Sequence, residues 1–130
     1  MTDLSKTLSL AASGMRAQSS RLRLVSENLA NTDTPGYRRK AASFEAVTGL
    51  GNGVGEVRQG QVKLDQSQLP RVFDPSHPMS NDTGYYDGSN VNMMVEIADA
   101  REAQRSYEAN LKMFEQARKM SSSLMNLLRR

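Results

Sequence analysis

Ala30-Asn31-Thr32-Asp33-Thr34-Pro35-Gly36-Tyr37-Arg38-Arg39-Lys40 closes one long amphipathic pattern and sends the chain in a new direction. Asn31 tolerates left-handed backbone angles and is the expected stop of the helix before it. Pro35-Gly36 reads as a turn, since proline fixes the first corner and glycine accepts the second. Arg38-Arg39-Lys40 then leaves in extended form. Nothing in the stretch is catalytic, and its punctuation is that of a structural element.

Working upstream, Leu4, Leu8, Ala11, Met15, Gln18, Leu22, Val25 and Leu29 alternate spacings of four and three. That is a heptad seam, weakest at Ala11 and Gln18. Thr2 or Asp3 is the expected N-cap, because a short side-chain oxygen accepts an orphaned backbone N–H. Downstream, a second seam starts near Met93 and runs through Ile97, Ala100, Gln104, Tyr107, Leu111 and Phe114. After a one-residue skip it continues through Ala117, Ser121, Leu124 and Leu128. Asn92 offers its start, with Ser89 and Asn90 just upstream. The fold class expected is mainly α, with the N- and C-terminal helices paired as a coiled coil around a small irregular or β middle. The parts are residues 1–40 (helix and turn), 41–90 (loop-rich, with short strands) and 91–130 (second helix).

Lengths carry this further. About 36 helical residues span roughly 54 Å, and the N-terminal helix is about 40 Å long. A compact chain of this size is only about 36 Å across. The second helix overshoots any such globule, so its seam needs the first helix and neighbouring chains. An elongated, self-associating subunit follows.

The middle gives weaker signals. Thr48-Gly49-Leu50-Gly51-Asn52-Gly53-Val54-Gly55 lacks the Lys-Ser or Lys-Thr pair of a phosphate-binding loop and reads as a flexible connection. Val54–Arg58 and Gln61–Asp65 are expected as two short strands turned at Gly60. Phe73-Asp74-Pro75-Ser76-His77-Pro78 is extended or turned, because each proline disfavours helix just before it.

Composition excludes several function classes. The chain has 130 residues, 38% apolar and only 5% aromatic, which is thin for a self-sufficient core. No run reaches the roughly 20 apolar residues of a membrane span. No basic region with a short apolar stretch and small-residue cleavage site opens the sequence, so no secretory signal is expected. With no cysteine there is no disulfide and no thiolate chemistry. His77, the single histidine, lies between prolines without acidic partners at ligand spacing. No metal, cofactor or catalytic residue is expected. A net charge of +3 gives nucleic-acid binding no support. Arg38, Arg39 and Lys40 form either a solvated loop or a contact to phosphate, a membrane surface or the carboxylates of an adjacent subunit.

Ser13-Gly14-Met15, Gln18, Arg21-Leu22, Ser26, Asn28-Leu29-Ala30-Asn31 and Thr34-Pro35-Gly36-Tyr37 resemble the N-terminal signature of bacterial flagellar rod and hook proteins. Asn90-Val91-Asn92, Ala103, Arg105-Ser106-Tyr107 and Ala109-Asn110 are similar to that family's C-terminal stretch. Asp74-Pro75-Ser76-His77-Pro78 with Gly84-Tyr85, and a middle of only about fifty residues, point within it to the small proximal-rod members. The resemblance implies a structural subunit of the basal-body rod that crosses the periplasm and transmits torque to the hook. Its partners would be copies of itself, neighbouring rod proteins and the flagellar type III export apparatus, with no membrane insertion and no cleaved signal. A different small proximal-rod protein or a soluble coiled-coil adaptor are the alternatives.

The candidate subunit-interface residues combine the two readings. They are Leu4, Leu8, Ala11, Met15, Leu22, Val25 and Leu29 on the first helix, and Asn31, Pro35, Gly36 and Tyr37 in the turn. Ile97, Ala100, Tyr107, Leu111, Phe114, Leu124 and Leu128 complete the set on the second helix.

Overall fold

The computed structural model describes residues 3–48 and 55–129. Helix α1 (Asp3–Ala30) and helix α2 (Met93–Leu128) pair antiparallel over most of their length. Arg21 faces Asp99 and Glu102, Gly14 lies over Asn110, and Leu4 and Thr7 share a groove with Met113, Ala117 and Met120. The expected two-helix architecture is the one observed. Helix α2 has 36 residues to the 28 of α1, an excess of about 12 Å that projects at its C-terminal end.

Asn92 caps α2 as expected, its side chain accepting from the amides of Met94 at 3.0 Å and Val95 at 3.4 Å. The proposed cap at Thr2 and the glycine alternation at 49–54 lie outside the described residues. Asn31 does not take a left-handed conformation. Its side-chain amide donates to the Glu27 carbonyl at 2.8 Å, so it closes the helix by satisfying a terminal carbonyl.

The two apolar seams meet only in part: of the α2 seam, Ala117 is buried and Ala100, Phe114 and Ser121 are half-buried. On α1 the seam positions are buried or half-buried. On α2 the residues against α1 are Glu96, Ala103 and Ala117, flanked by half-buried Asp99, Ser106, Asn110 and Ser121. Ile97, Tyr107, Leu111, Leu124 and Leu128 stand exposed instead. Ala11, Ser13 and Ala17 are the small residues buried on α1 along this stretch, with Gly14 against Asn110.

Gly14 packs against Asn110. A Cβ there would lie 2.8 Å from Asn110 Nδ2, which itself donates to the Ser106 carbonyl at 3.0 Å. Gly14→Leu is expected to lower stability by about 2 kcal/mol, read as a reduced urea midpoint. Gly14→Ala with Asn110→Ala removes the clash and gains about 1 kcal/mol of helix propensity, so it should match or exceed the parent.

Between the helices the described residues form three two-stranded antiparallel ribbons. Strand β1 (Lys40–Ala41) pairs with β4 (Lys63–Leu64), and β2 (Phe44–Val47) with β3 (Glu56–Gln59). Strand β5 (Arg71–Phe73) pairs with β6 (Tyr85–Asp87). The hairpin expected between 54–58 and 61–65 is therefore absent. Strand β3 takes β2 as partner because that ribbon docks on α1, where the Val57 amide donates to Ser13 Oγ at 3.1 Å and Ser9 Oγ donates to Glu56 at 3.0 Å. The Gly60 amide donates to the Ser43 carbonyl at 2.7 Å, and the chain then runs on to lie beside β1.

The β5–β6 ribbon is a separate knob at the end of the helix pair where α1 exits and α2 starts. Gly36 N–H donates to the Asp87 carbonyl at 3.1 Å and Ser89 Oγ donates to the Thr32 carbonyl, fastening it there.

Candidate functional site

The exit turn is a type II turn. Tyr37 N–H donates to the Thr34 carbonyl at 3.2 Å, with Pro35 at the first corner and Gly36 at φ +75° at the second. A Cβ on Gly36 would meet nothing within 4 Å, so glycine is needed for its backbone angle and not for space.

This turn delivers Tyr37, Arg39 and Lys40 to a polar knot between the helices. Asn28, with 1% of its surface exposed, uses its full hydrogen-bonding capacity there. Its Oδ1 accepts from Tyr37 Oη at 2.8 Å and from the Lys40 amide at 2.9 Å. Its Nδ2 donates to the Lys40 carbonyl at 2.9 Å and to Glu96 Oε2 at 3.3 Å. Glu96 is completely buried, and its other oxygen accepts from Arg39 Nε. Arg39 Nη2 reaches Asp99 at 2.9 Å, and Arg21 meets Asp99 and Glu102, each at 3.4 Å.

A second amide binds the three parts of the chain together. Asn90 Oδ1 accepts from the Arg39 amide at 2.6 Å, and its Nδ2 donates to the Asp65 carbonyl at 3.0 Å. Arg38 Nη1 donates to the carbonyls of Asp65 at 3.1 Å and Ser67 at 2.9 Å, while Lys40 lies 3.5 Å from Glu27. The basic triplet is thus neither a solvated loop nor a free anion site. It is consumed by carboxylates and carbonyls of its own chain.

The electrostatics follow from this placement. Burial, and then the charges of Glu27 and Glu96, push the Tyr37 phenol above its ordinary value, so it stays a neutral donor to Asn28. Burial opposes the charge on Arg39, but its hydrogen bond to Glu96 and the charges of Glu96, Asp99 and Asp65 outweigh that and raise it. Asp65 is held below the usual carboxylate range by hydrogen bonds from the Ser67 amide and side chain, then by the charges of Arg39 and Arg38. A cleft of about 230 Å³ opens beside the knot, lined by Leu24, Val25, Ala41 and Phe44 as well as the charged groups. Those groups already answer one another, so the arrangement holds backbone in place.

The other sequence candidates fall into two sets. Leu4, Leu8, Met15, Leu22 and Leu29 are half-buried, and Ala11 and Val25 buried, against the rest of the chain. Asn31, Pro35 and Tyr37 are half-buried and Gly36 exposed. Ala100 and Phe114 are half-buried, whereas Ile97, Tyr107, Leu111, Leu124 and Leu128 face outward. His77 accepts from the Met79 amide at 3.1 Å and stacks on Tyr86 at 4.0 Å, a loop-fixing role. Sequence reasoning missed Glu96 and Asp99 as partners of Arg39. The available signal was two acids three residues apart in an otherwise apolar helix start, facing an otherwise unbalanced basic triplet.

Residues 8–38, which hold most of α1 and its exit turn, match the family described as flagella basal body rod protein. Residues 82–127, which hold β6 and α2, match the C-terminal family of the flagellar basal body rod FlgEFG proteins. The flagellar basal-body rod protein FlgC of Agrobacterium fabrum is 40% identical, over 99% of this chain and 98% of that one. The chain belongs to the FlgC family of flagellar basal-body rod proteins. The FlgC of Bacillus subtilis is 33% identical over 81% of this chain and 85% of its own. That of Salmonella typhimurium is 30% identical over 91% and 92%. The two family matches lie on either side of residues 39–81 and take in the exit turn and most of both helices. Family membership makes this a structural rod subunit, and among the described residues no helix is long and apolar enough to cross a membrane.

Proposed function

We propose that the chain is a non-catalytic subunit of the proximal part of the flagellar rod, joining copies of itself and neighbouring rod proteins through its terminal helices. The observation that carries this is the row Met93, Ile97, Tyr107 and Leu111 on α2, which its own chain covers only in part, leaving 36–51% of each exposed. A second exposed row, Met113, Met120, Leu124 and Leu127, follows towards the C-terminus. Two different patches on one rigid helix suit head-to-tail contacts, which build rings or open stacks instead of closed pairs. Torque then passes along the helices, while the knot keeps each helix pair from shearing. The subunit reaches the periplasm through the flagellar export apparatus.

Leu111→Asp tests the reading. A charge placed in the outward row is costly once neighbours cover it, yet tolerable while the row faces water. The purified variant is expected to keep its helical circular dichroism, while a strain carrying it fails to swim and lacks assembled rods. Normal swimming would remove this row from the interface.

A further inference from the structure

Both ends of the molecule carry apolar surface that the chain does not cover, and the ends differ in charge. At one end stands the β5–β6 knob. Phe73 is 62% exposed and Met79 66%. Residues 71–87 hold one arginine against three aspartates, a net charge of −2 with His77 neutral. At the other end α2 runs past the start of α1. Leu127 is 66% exposed and Leu128 81%. Residues 118–129 hold Arg118, Lys119 and Arg129 and no acid, and none of the three cations has an ion pair among the described residues.

The knob is preformed. Asp74 Oδ1 accepts from the Ser76 amide at 3.2 Å and from Ser76 Oγ at 2.7 Å. Asn81 Oδ1 accepts from Thr83 N and Tyr85 N, each at 3.0 Å. The Phe73 and Tyr85 rings lie 5.0 Å apart, and His77 stacks on Tyr86. A loop tied this closely presents its apolar tip at little ordering cost, which favours docking. Asp82, exposed and free of ion pairs among the described residues, adds an uncompensated negative charge beside that tip.

The tail cannot reach the knob of its own chain. Helix α2 is continuous from Met93 to Leu128, so about 54 Å of stiff helix separates them. We infer that the basic apolar tail of α2, around Lys119, Leu124 and Leu127, docks on the acidic apolar knob, around Phe73, Met79 and Asp82, of a second copy. This rests on the rod-subunit reading and gives it a specific contact. Because the patches are different and at opposite ends, the contact is head-to-tail and each copy leaves one of each free, so it propagates. Opposite charge sets the polarity, since tail-to-tail and knob-to-knob approaches place like charges together.

Cysteine cross-linking reads this directly, because the chain has no cysteine of its own. Purified full-length Met79→Cys and Leu127→Cys, mixed and treated with a short bismaleimide, should give a dimer that neither gives alone. Lys119→Glu in the Leu127→Cys chain should cut the yield at least tenfold, and Asp82→Lys in the Met79→Cys chain should restore it. The double variant Met79→Cys/Leu127→Cys, in basal bodies from cells lacking the natural protein, should give a ladder of multiples. Dimers from Leu127→Cys alone at the yield of the mixture would overturn the contact in favour of a symmetric one. No ladder in swimming cells, or cross-links only to a different rod protein, would overturn it and leave the rod role standing. Absence of the chain from basal bodies altogether would overturn the rod role itself.

Discussion

Arg39→Met is expected to destabilise the folded chain by about 3–5 kcal/mol, the cost of leaving a buried charge without its partner. Glu96 is completely buried and its Oε1 has Arg39 Nε as donor, so removing the guanidinium leaves that oxygen without its protein partner. Asp99 keeps Arg21 at 3.4 Å and is affected less. A small domain has about 5–15 kcal/mol in all, so the loss takes a large share of it. Urea unfolding followed by circular dichroism measures it. Arg39→Lys should rescue little, since one ammonium does not reproduce a planar group that reaches Glu96 through Nε and Asp99 through Nη2. Combining Arg39→Met with Glu96→Leu should recover more than half of the loss, because an apolar pair of similar volume carries no stranded charge. Equal loss in the single and double variants would show that the ion pair is not what holds this junction.

Asn28→Leu is the second large effect, at about 3 kcal/mol. The side chain has two donors and two acceptors, and all four are engaged by Tyr37, Lys40 and Glu96. A leucine fills the space and strands each of those groups. Asn28→Asp has nearly the same shape but exchanges the donor facing Glu96 for an acceptor. It should be at least as damaging, and it separates hydrogen-bond direction from packing. Amide exchange at Lys40, whose N–H is held by Asn28, should accelerate in both variants. Unchanged exchange there would show that the turn is fixed by its backbone alone.

These two residues explain why the exit turn and the start of α2 form one rigid corner. Three covalently distant pieces meet there: the end of α1, the strand after the turn, and the first turn of α2. The joint is polar, so it specifies one register. A slide of one helix by a single turn would bury Glu96 against apolar surface and leave Asn28 unpaired. In a rod subunit that register sets how the outward rows of α2 are presented.

Local chemistry marks out the two helices, the turn after the first, and the cap and length of the second. The marks are the alternating spacings of apolar residues, Asn92 as a cap, and Pro35-Gly36 as a turn. The family was equally legible, since its signature lies in those same segments. Which face of α2 turns inward followed from packing. Periodicity marks an apolar row but not its partner, and here Asn110 against Gly14 and the buried Glu96 belong to a small, polar face turned towards α1. The strand partners and the fate of Arg38, Arg39 and Lys40 were settled the same way, by which distant groups the folded backbone brings within hydrogen-bonding reach. Local propensity is written in consecutive residues. Pairing across sixty positions is a property of the packed chain.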